Sequence, residues 1–227
     1  MQKVIITGSE GLVGREITKF LKKNGFKIIR CSRSLGQDLT NENFVKSWFK
    51  KNKANHLINL FGFNDHIFKE NSKDKSDLFD VSLKSFNKYL NLNVTSLFSV
   101  CREYARNNNK GNIINFSSIY GVVSPDPKIY MKGKHKHVGY AVSKSAVIYL
   151  TKYLAVHLSP NIRVNCIVPG GIKNKQSKRF IKKYSSKSVL GRMMNLKEIN
   201  GIVKYLCSNE SSYSTGAEFV LDGGFTL

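Results

Sequence analysis

The stretch KVIITGSEGLVG, residues 3–14, decides the fold, because an apolar run leads into three spaced glycines and then into a helical pattern over residues 12–24. Gly8 permits a tight turn, Gly11 lets the backbone approach a pyrophosphate, and Gly14 lets a helix pack closely on a strand. The first N–H groups of such a helix and its dipole favour phosphate. The order strand, turn, helix therefore predicts a dinucleotide-binding unit, with a plain strand–helix turn as the alternative.

The rest of the chain alternates short apolar runs with helical patterns. Further strands are predicted at 26–31, 56–60, 112–116, 162–168 and 218–221, and helices at 43–51, 83–106, 139–158 and 196–207. Buried, continuously apolar strands separated by helices predict a parallel sheet covered on both faces. We therefore expect an α/β fold of the doubly wound Rossmann type, in one domain over residues 1–227, with its ligands at the C-terminal ends of the strands.

Composition excludes several classes of protein. Hydrophobic residues make up 41% of the 227 residues, which excludes a disordered chain. No apolar run is long enough to cross a bilayer, and the N-terminal run is too short to be a signal peptide. The cysteines are scattered without CxxC spacing, which favours buried free thiols and a cytoplasmic location. They are Cys31, Cys101, Cys166 and Cys207.

The chain is strongly basic, since 37 Lys and Arg against 15 Asp and Glu give a net charge of +22. Such a charge can indicate nucleic acid, an anionic membrane surface or acidic small molecules as partners. The lysines are spread along the chain, with no long basic block and no aromatic RNA-binding signature. We expect a phosphorylated cofactor or substrate as the partner, no specific nucleic acid and no membrane.

The residues after the second predicted strand bear on the cofactor. An acid at this position binds a ribose 2′-hydroxyl, whereas an arginine accommodates a 2′-phosphate. Here Ser32 and Arg33 follow the strand, which favours NADP(H) over NAD(H). A solvated surface arginine is the alternative, and Glu10 argues mildly for NAD(H). Asp38 follows shortly after, where it can also serve as a capping turn residue for a helix starting at Thr40.

The segment YAVSK, residues 140–144, lies early in a predicted helix. Its i, i+4 spacing places Tyr140 and Lys144 on one helix face. A phenol has a pKa of about 10, and a nearby ammonium group favours the phenolate and allows proton exchange nearer neutral pH. The same spacing occurs often on solvated helix faces, so the pair gains force only from the motifs around it.

Together these motifs resemble the short-chain dehydrogenase/reductase family, over essentially the whole chain. The matching segments are Thr7–Gly14, Asp38-Leu39, Asn59-Leu60-Phe61-Gly62, residues 93–98, residues 115–121, Pro169-Gly170, Leu190-Gly191-Arg192 and Asp222-Gly223-Gly224. The segment starting at Asn59 keeps only the first asparagine and the glycine of the family's NNAG pattern. The resemblance implies a homodimer or homotetramer and an enzyme; a catalytically silent nucleotide-binding scaffold or sensor is the alternative.

The resemblance also implies roles for single residues. Tyr140 would be the general acid/base, and Lys144 would lower the pKa of Tyr140 and bind the nicotinamide ribose. Ser118 would hydrogen-bond the substrate oxygen, and Asn93 would hold a water that links Lys144 to solvent. The implied cofactor contacts are Gly8, Gly11, Leu12, Val13, Gly14, Arg33, Asp38, Leu39, Asn59, Gly62, Tyr140, Lys144, Gly170 and Ile172. No metal site is expected, because His135 and His137 have no acidic or cysteine partner nearby.

Two segments depart from the family pattern. Asp38 follows Arg33 by only five positions, so a usual helix–strand excursion is missing. An insertion at 122–138 separates Ser118 from Tyr140 and is rich in lysine. We interpret it as part of the substrate pocket, with a solvated basic loop as the alternative. Residues 117–126 resemble members from bacterial surface-sugar and flagellin-modification pathways that make nonulosonic acids, which implies a sugar-like, phosphorylated or acidic substrate.

Overall fold

A computed structural model describes residues 1–64, 78–130 and 135–227. One sheet is built from β1 (Lys3–Thr7), β2 (Lys27–Cys31), β3 (His56–Asn59), β4 (Gly111–Phe116), β5 (Ile162–Pro169) and β6 (Glu218–Leu221). All neighbouring strands are parallel, in the order β2-β1-β3-β4-β5-β6. The strand order reverses between β1 and β3, which is where doubly wound sheets bind ligands. The predicted fold class is confirmed.

Helices cover both faces of this sheet. They are α1 (Leu12–Lys23), α2 (Glu42–Lys51), α3 (Leu83–Leu90), α4 (Ser96–Asn107), α5 (Val138–Leu158), α6 (Lys178–Ser185) and α7 (Asn200–Leu206). Alternate strand residues enter two separate cores, as the two-residue period of a strand requires. Ile5 packs in the core that includes residues of α2, α4 and α5, while Val4 and Ile6 pack in the core that includes residues of α1 and α7.

The second strand was predicted to be buried, and this was wrong. β2 is an edge strand in which Lys27 and Arg30 are exposed and only Cys31 is fully buried. The connection that follows explains this position. Arg33–Leu35 form one short 3-10 turn, so no further strand is added beyond β2. The predicted absence of a helix–strand excursion is thereby confirmed, and Arg33 lies at the outer edge of the sheet.

The helix predicted over residues 83–106 is interrupted. A π-helical turn, Asn91–Thr95, separates α3 from α4, and Asn93 lies inside it. The helix predicted at 196–207 likewise divides into a 3-10 turn, Leu196–Ile199, and α7. π-Turns within helices occur frequently at functional sites.

Two further features differ from the sequence expectations. α6 was not predicted, because it is short and half of its residues are charged, with Tyr184 as its buried residue. α2 begins at Glu42 rather than Thr40, and its N-cap is Asn41, whose Oδ1 accepts a 3.0 Å hydrogen bond from the Phe44 N–H. Asp38 therefore does not cap this helix.

The four cysteines are buried and unpaired, as predicted. Burial raises the pKa of each thiol to about 12. They are therefore protonated, apolar core groups at neutral pH. Of the helices in the described ranges, none combines the length and the apolar character that spanning a bilayer requires.

Candidate active site

The glycine turn between β1 and α1 is tightly packed, and no side chain caps the N-terminus of α1 that follows it. We call this turn and helix end the glycine cradle. Gly8 has φ +69°, and a Cβ there would lie 2.6 Å from the Phe61 backbone nitrogen. A Cβ on Gly14 would overlap the Gly8 carbonyl oxygen. α1 begins after Gly11 with no side-chain cap and no acid in its first turn. The N–H groups of the first turn, on Leu12, Val13 and Gly14, are thus available to an anion, so the cradle fits a dinucleotide pyrophosphate.

We expect Gly14→Ala to weaken nicotinamide-cofactor binding at least tenfold and to destabilise the fold by about 1–3 kcal/mol, as overpacking of a tight contact does. The added methyl group must displace either α1 or the Gly8 turn. Calorimetric titration and thermal melting measure the two effects. Gly201→Ala is the matched control, because no atom lies within 4 Å of a Cβ at this α7 position. Equal cofactor affinity in Gly14→Ala and wild type would refute the role of the cradle.

The predicted ribose and adenine contacts lie beside β2. Arg33 and Asp38 are both exposed, while Leu39 is 7% exposed and packs in the core. The Asp38 carboxylate accepts hydrogen bonds from the Thr40 N–H (3.0 Å) and hydroxyl (2.8 Å), which lower the pKa of Asp38. The charge of Arg33 lowers this pKa further. Asp38 is thus an ionised turn residue next to Arg33.

Sequence reasoning missed Arg30 as a site residue. Its guanidinium lies 3.2 Å from the carboxylate of Glu10, in the glycine turn. The acid that argued for NAD(H) is therefore partly neutralised by a neighbouring arginine. No sequence motif marks Arg30, since only the parallel pairing of β1 and β2 brings it beside the turn.

Asn59 and Gly62 follow β3 and play different parts. The Asn59 side chain is buried; its Oδ1 accepts a bond from the Thr7 hydroxyl (2.9 Å) and its amide donates to Asn115 Oδ1 (2.9 Å). This side chain links the ends of three strands and faces inward.

A Cβ on Gly62 would lie 3.2 Å from Asn93 Oδ1 and 3.9 Å from Lys144 Nζ. Gly62 thus allows the backbone to pass close to the predicted catalytic residues.

Ser118, Tyr140 and Lys144 lie together at the C-terminal edge of the sheet. Ser118 lies two positions after β4, its Oγ accepts a 3.2 Å hydrogen bond from the Tyr120 N–H, and its side chain lowers the pKa of Tyr140. Lys144 Nζ lies 5.9 Å from the centroid of the Tyr140 ring and donates a 2.9 Å bond to the Phe116 carbonyl oxygen. The structure thus brings together three of the four predicted catalytic residues as one contiguous group.

Burial sets the protonation of this group. Burial raises the pKa of Tyr140 above its ordinary value, and the hydrogen bond with Ser118 partly offsets this rise. Burial also lowers the pKa of Lys144 to about 8. Near neutral pH Lys144 is still largely an ammonium, and a neighbouring cation favours the phenolate of Tyr140.

Asn93 clamps the segment after β3 onto the catalytic helix. Its Oδ1 accepts a bond from the Phe63 N–H (2.6 Å), and its amide donates to the Phe63 carbonyl (3.0 Å) and the Ser143 hydroxyl (2.9 Å). Both amide hydrogens are therefore used. A water bound at Asn93 would have to be held by Oδ1 or by a backbone group.

Three further tyrosines belong to the same buried cluster as Tyr140. Tyr130 lies in the insertion that the sequence assigned to the substrate pocket, whereas the sequence did not single out Tyr120 and Tyr184. Tyr130 donates a 2.9 Å hydrogen bond from its hydroxyl to that of Tyr120, which follows Ser118. Tyr184, on α6, accepts a bond from the Gly171 N–H and stacks on Phe225 with ring centroids 4.6 Å apart. Aromatic rings therefore pack around Tyr140 in this cluster.

Gly170 and Ile172 continue from β5 toward the same region. The Gly170 N–H donates a 2.8 Å bond to the Leu221 carbonyl, and a Cβ there would lie 3.0 Å from the Tyr184 hydroxyl. Ile172 pairs with Met194 in an isolated parallel bridge. Gly170 therefore lies beside Tyr184.

The insertion at 122–138 packs against the site at both ends. Lys132 and Lys134 lie outside the described residues. At the N-terminal end of the insertion, two contacts join it to α6 and the segment after it. Asp126 forms an ion pair with Lys187, and Lys183 donates a hydrogen bond to the Lys128 carbonyl. Ile129 is buried.

On the second side of the insertion, His137 caps α5. Its Nδ1 accepts a 3.0 Å bond from the Gly139 N–H, and its Nε2 lies 3.0 Å from the Ser85 hydroxyl. Because Nδ1 accepts, Nε2 carries the ring proton and donates to Ser85. His137 is thus a helix cap close to Tyr140.

The comparisons with known proteins agree with this geometry. A family model described as "Enoyl-(Acyl carrier protein) reductase" matches residues 3–226. The crystal structure of a short chain dehydrogenase from Leptospira borgpetersenii with bound NAD+ superposes with a TM-score of 0.84 at 32% identity, covering 100% of this chain and 93% of that chain. The chain belongs to the short-chain dehydrogenase/reductase family. The resemblance inferred from the motifs is confirmed at this level.

Two relatives of this short-chain dehydrogenase/reductase illustrate its neighbours. A 3-oxoacyl-(acyl-carrier-protein) reductase of Buchnera aphidicola is 30% identical over 93% of this chain and 81% of its own length. A 3-alpha-(or 20-beta)-hydroxysteroid dehydrogenase of Mycobacterium bovis is 38% identical over 64% of this chain. That match spans about half of the Mycobacterium protein, 54% of its length. Both relatives are named as oxidoreductases, but of different substrates.

Proposed function

We propose that this protein is a nicotinamide-dependent oxidoreductase that interconverts a hydroxyl and a carbonyl group, with Tyr140 as general acid/base. The observation that carries the proposal is the buried Tyr140 with Lys144 Nζ 5.9 Å from its ring, on a chain whose glycine turn leaves the start of α1 uncapped. A silent scaffold has no need for a buried ammonium next to a buried phenol. Oxidation of NADPH or NADH with a panel of carbonyl compounds tests the proposal, and binding of cofactor without turnover of any of them would favour the scaffold.

Each residue has a distinct chemical task. The bound nicotinamide supplies or accepts the hydride. In reduction, Tyr140 gives its phenolic proton to the substrate oxygen; in oxidation, its phenolate takes that proton. Ser118 donates a hydrogen bond to the same oxygen as negative charge develops there. Lys144 favours the phenolate and would hydrogen-bond the ribose of the bound cofactor.

A polar, sugar-like substrate is our proposal for the substrate class. It is supported by Tyr120, Tyr130 and Tyr184 in the same cluster as Tyr140, because small-molecule sites combine aromatic side chains with a few polar groups. Lysines on α6 and at Lys128 would favour a phosphorylated or acidic form. The family branch of bacterial surface-sugar pathways fits this chemistry. Oxo-sugars and their phosphates should therefore be turned over better than an acetoacetyl thioester, the substrate type that the Buchnera relative suggests.

We expect NADPH to bind more tightly than NADH, because Arg33 is exposed at the outer end of β2 where a 2′-phosphate would lie. Arg33→Ser should weaken NADPH binding by about 10–100-fold, the value of a charge-assisted hydrogen bond, and leave NADH binding nearly unchanged. Fluorescence titration of each cofactor measures this. Arg30→Ser is the matched variant; if it removes the preference and Arg33→Ser does not, the phosphate contact belongs to Arg30. Tighter binding of NADH by the wild type, as the NAD+ complex of the Leptospira relative would suggest, rejects the preference.

We further propose a homodimer or homotetramer located in the cytoplasm. Support for self-association comes from the outer face of α5, where Tyr149 and Val156 are 71% and 75% exposed. A second copy covering this face would remove these apolar groups from water. Light scattering after size exclusion measures the mass, and a monomer would contradict the proposed self-association.

The four free, buried thiols support the proposed cytoplasmic location.

A further inference from the structure

We propose that Lys136 is a positioning residue that holds a second positive charge against the ring of Tyr140 and favours its phenolate form. The inference rests on the proposed role of Tyr140 as general acid/base. Lys136 belongs to the insertion that precedes α5, whose lysines the sequence assigned to the substrate pocket and not to Tyr140. Its task would be to act through Tyr140 rather than on the substrate.

The geometry places the Lys136 ammonium nearer to the phenol ring than Lys144 is. Lys136 Nζ lies 4.2 Å from the centroid of the Tyr140 ring, whereas Lys144 Nζ lies 5.9 Å from it. Both distances are within the range of an attractive cation–π contact, about 6 Å. Lys136 is half-buried, so water screens its charge less than that of a fully exposed lysine.

Lys136 is anchored at both its side chain and its backbone. Its ammonium donates a hydrogen bond to Asn64 Oδ1. Asn64 directly follows Phe63, whose N–H and carbonyl are both bound by the buried Asn93 side chain. The next residue after Lys136 is His137, the cap of α5. Asn64, which holds the charge, thus directly follows the residue that Asn93 binds.

A second cation near Tyr140 would compensate for the charge that Lys144 loses at alkaline pH. Burial raises the pKa of Tyr140, and burial lowers the pKa of Lys144 to about 8, so Lys144 loses charge in the alkaline range where the phenolate is needed. Further described titratable groups near Tyr140 are Tyr89 on α3, His137 stacked behind Tyr89, and the clustered tyrosines Tyr120, Tyr130 and Tyr184. His137 is neutral while its Nδ1 accepts a hydrogen bond, and the tyrosines are neutral until they ionise. Within this set, Lys136 and Lys144 supply the positive charge.

Direct titration of Tyr140 tests the proposal without any substrate. The full chain is labelled with 13Cζ-tyrosine, and the Tyr140 resonance is the one absent from Tyr140→Phe. We expect Lys136→Met to raise the pKa of Tyr140 by about one unit, a tenfold change in its ionisation constant. Lys88→Met is the matched control, because Lys88 Nζ lies 4.0 Å from the neighbouring Phe63 ring and the variant removes the same charge. It should leave the titration of Tyr140 unchanged.

Lys136→Arg distinguishes charge from packing, since it keeps the cation and should restore the wild-type titration. An unchanged Tyr140 titration in Lys136→Met overturns the proposal, and so does an equal shift in Lys88→Met. With a turned-over alcohol, the rising limb of the pH–kcat profile in oxidation should move to higher pH by the same tenfold ionisation change. A kcat lowered equally at every pH would indicate a structural role and contradict the proposal. If no alcohol or carbonyl is turned over, the proposed function fails, while the titration still decides the role of Lys136.

Discussion

Tyr140→Phe is expected to lower turnover by about 10²–10⁴-fold, the range that a positioned acid/base group contributes, while cofactor affinity stays within about twofold of the wild type. The substitution removes only the phenolic oxygen. The ring remains to pack edge-on against Tyr89, with centroids 6.4 Å apart, and to contact Lys136. The proposed proton donor is therefore removed while the packing around the ring is kept. Steady-state kinetics and calorimetric titration of NADPH measure the two quantities.

Tyr153→Phe is the matched control for this substitution. Tyr153 lies on the same helix α5 but is 49% exposed and stacks on His157, away from the catalytic group. We expect its turnover to equal that of the wild type. Near-native turnover in Tyr140→Phe would contradict the assignment of Tyr140 as acid/base.

Lys144→Met is expected to damage both turnover and cofactor binding. Lys144 favours the Tyr140 phenolate and, by our proposal, hydrogen-bonds the nicotinamide ribose, so its loss removes two interactions at once. We expect turnover to fall by about 10²-fold or more and cofactor affinity by about tenfold, the value of one charge-assisted hydrogen bond. Unchanged cofactor affinity would restrict Lys144 to the tyrosine and remove the ribose contact from the account.

The stability of Lys144→Met provides an independent check with a definite sign. Burial lowers the pKa of Lys144 from its ordinary 10.5 to about 8 in the folded protein. Below pH 8 the wild type bears the full cost of a buried ammonium; between pH 8 and 10.5 the folded state releases this proton before the unfolded state does, so the cost disappears. The melting temperature of the variant relative to the wild type should therefore be highest below pH 8 and decline toward pH 10.5. A constant difference across that range would contradict this burial cost.

Much of the fold and the cofactor turn could be predicted from the sequence, because their signals are local. The glycine spacing at Gly8 and Gly14 reflects contacts within one strand–turn–helix unit, and the spacing of Tyr140 and Lys144 lies within two helical turns. Apolar runs likewise identify strands, since both faces of the sheet are covered. Ser118 could be assigned only through the family motif, because 22 positions separate it from Tyr140.

Other features depend on tertiary contacts that leave no local signal. The edge position of β2 follows from a strand that is missing, and the π-turn at Asn93 keeps the same apolar pattern as an uninterrupted helix. Helix α6 has only eight residues, so the apolar residues Phe180, Ile181 and Tyr184 are too few to establish a helical period. Lys136 is one lysine of many in a basic chain, and only its contact with Tyr140 distinguishes it. These are the places where long-range packing outweighs local preference.

The central claim is that Tyr140 serves a hydride transfer between a nicotinamide cofactor and a carbonyl, and isotope transfer tests it most directly. Wild type and Tyr140→Phe are incubated with NADPH deuterated at C4, as the 4R and the 4S forms, and with a panel of oxo-sugars and their phosphates. Mass spectrometry then records the products. The account predicts an alcohol heavier by one deuterium with one of the two cofactor forms in the wild type, and at least a hundredfold less of it with Tyr140→Phe. Equal deuterium transfer by the two proteins would contradict it.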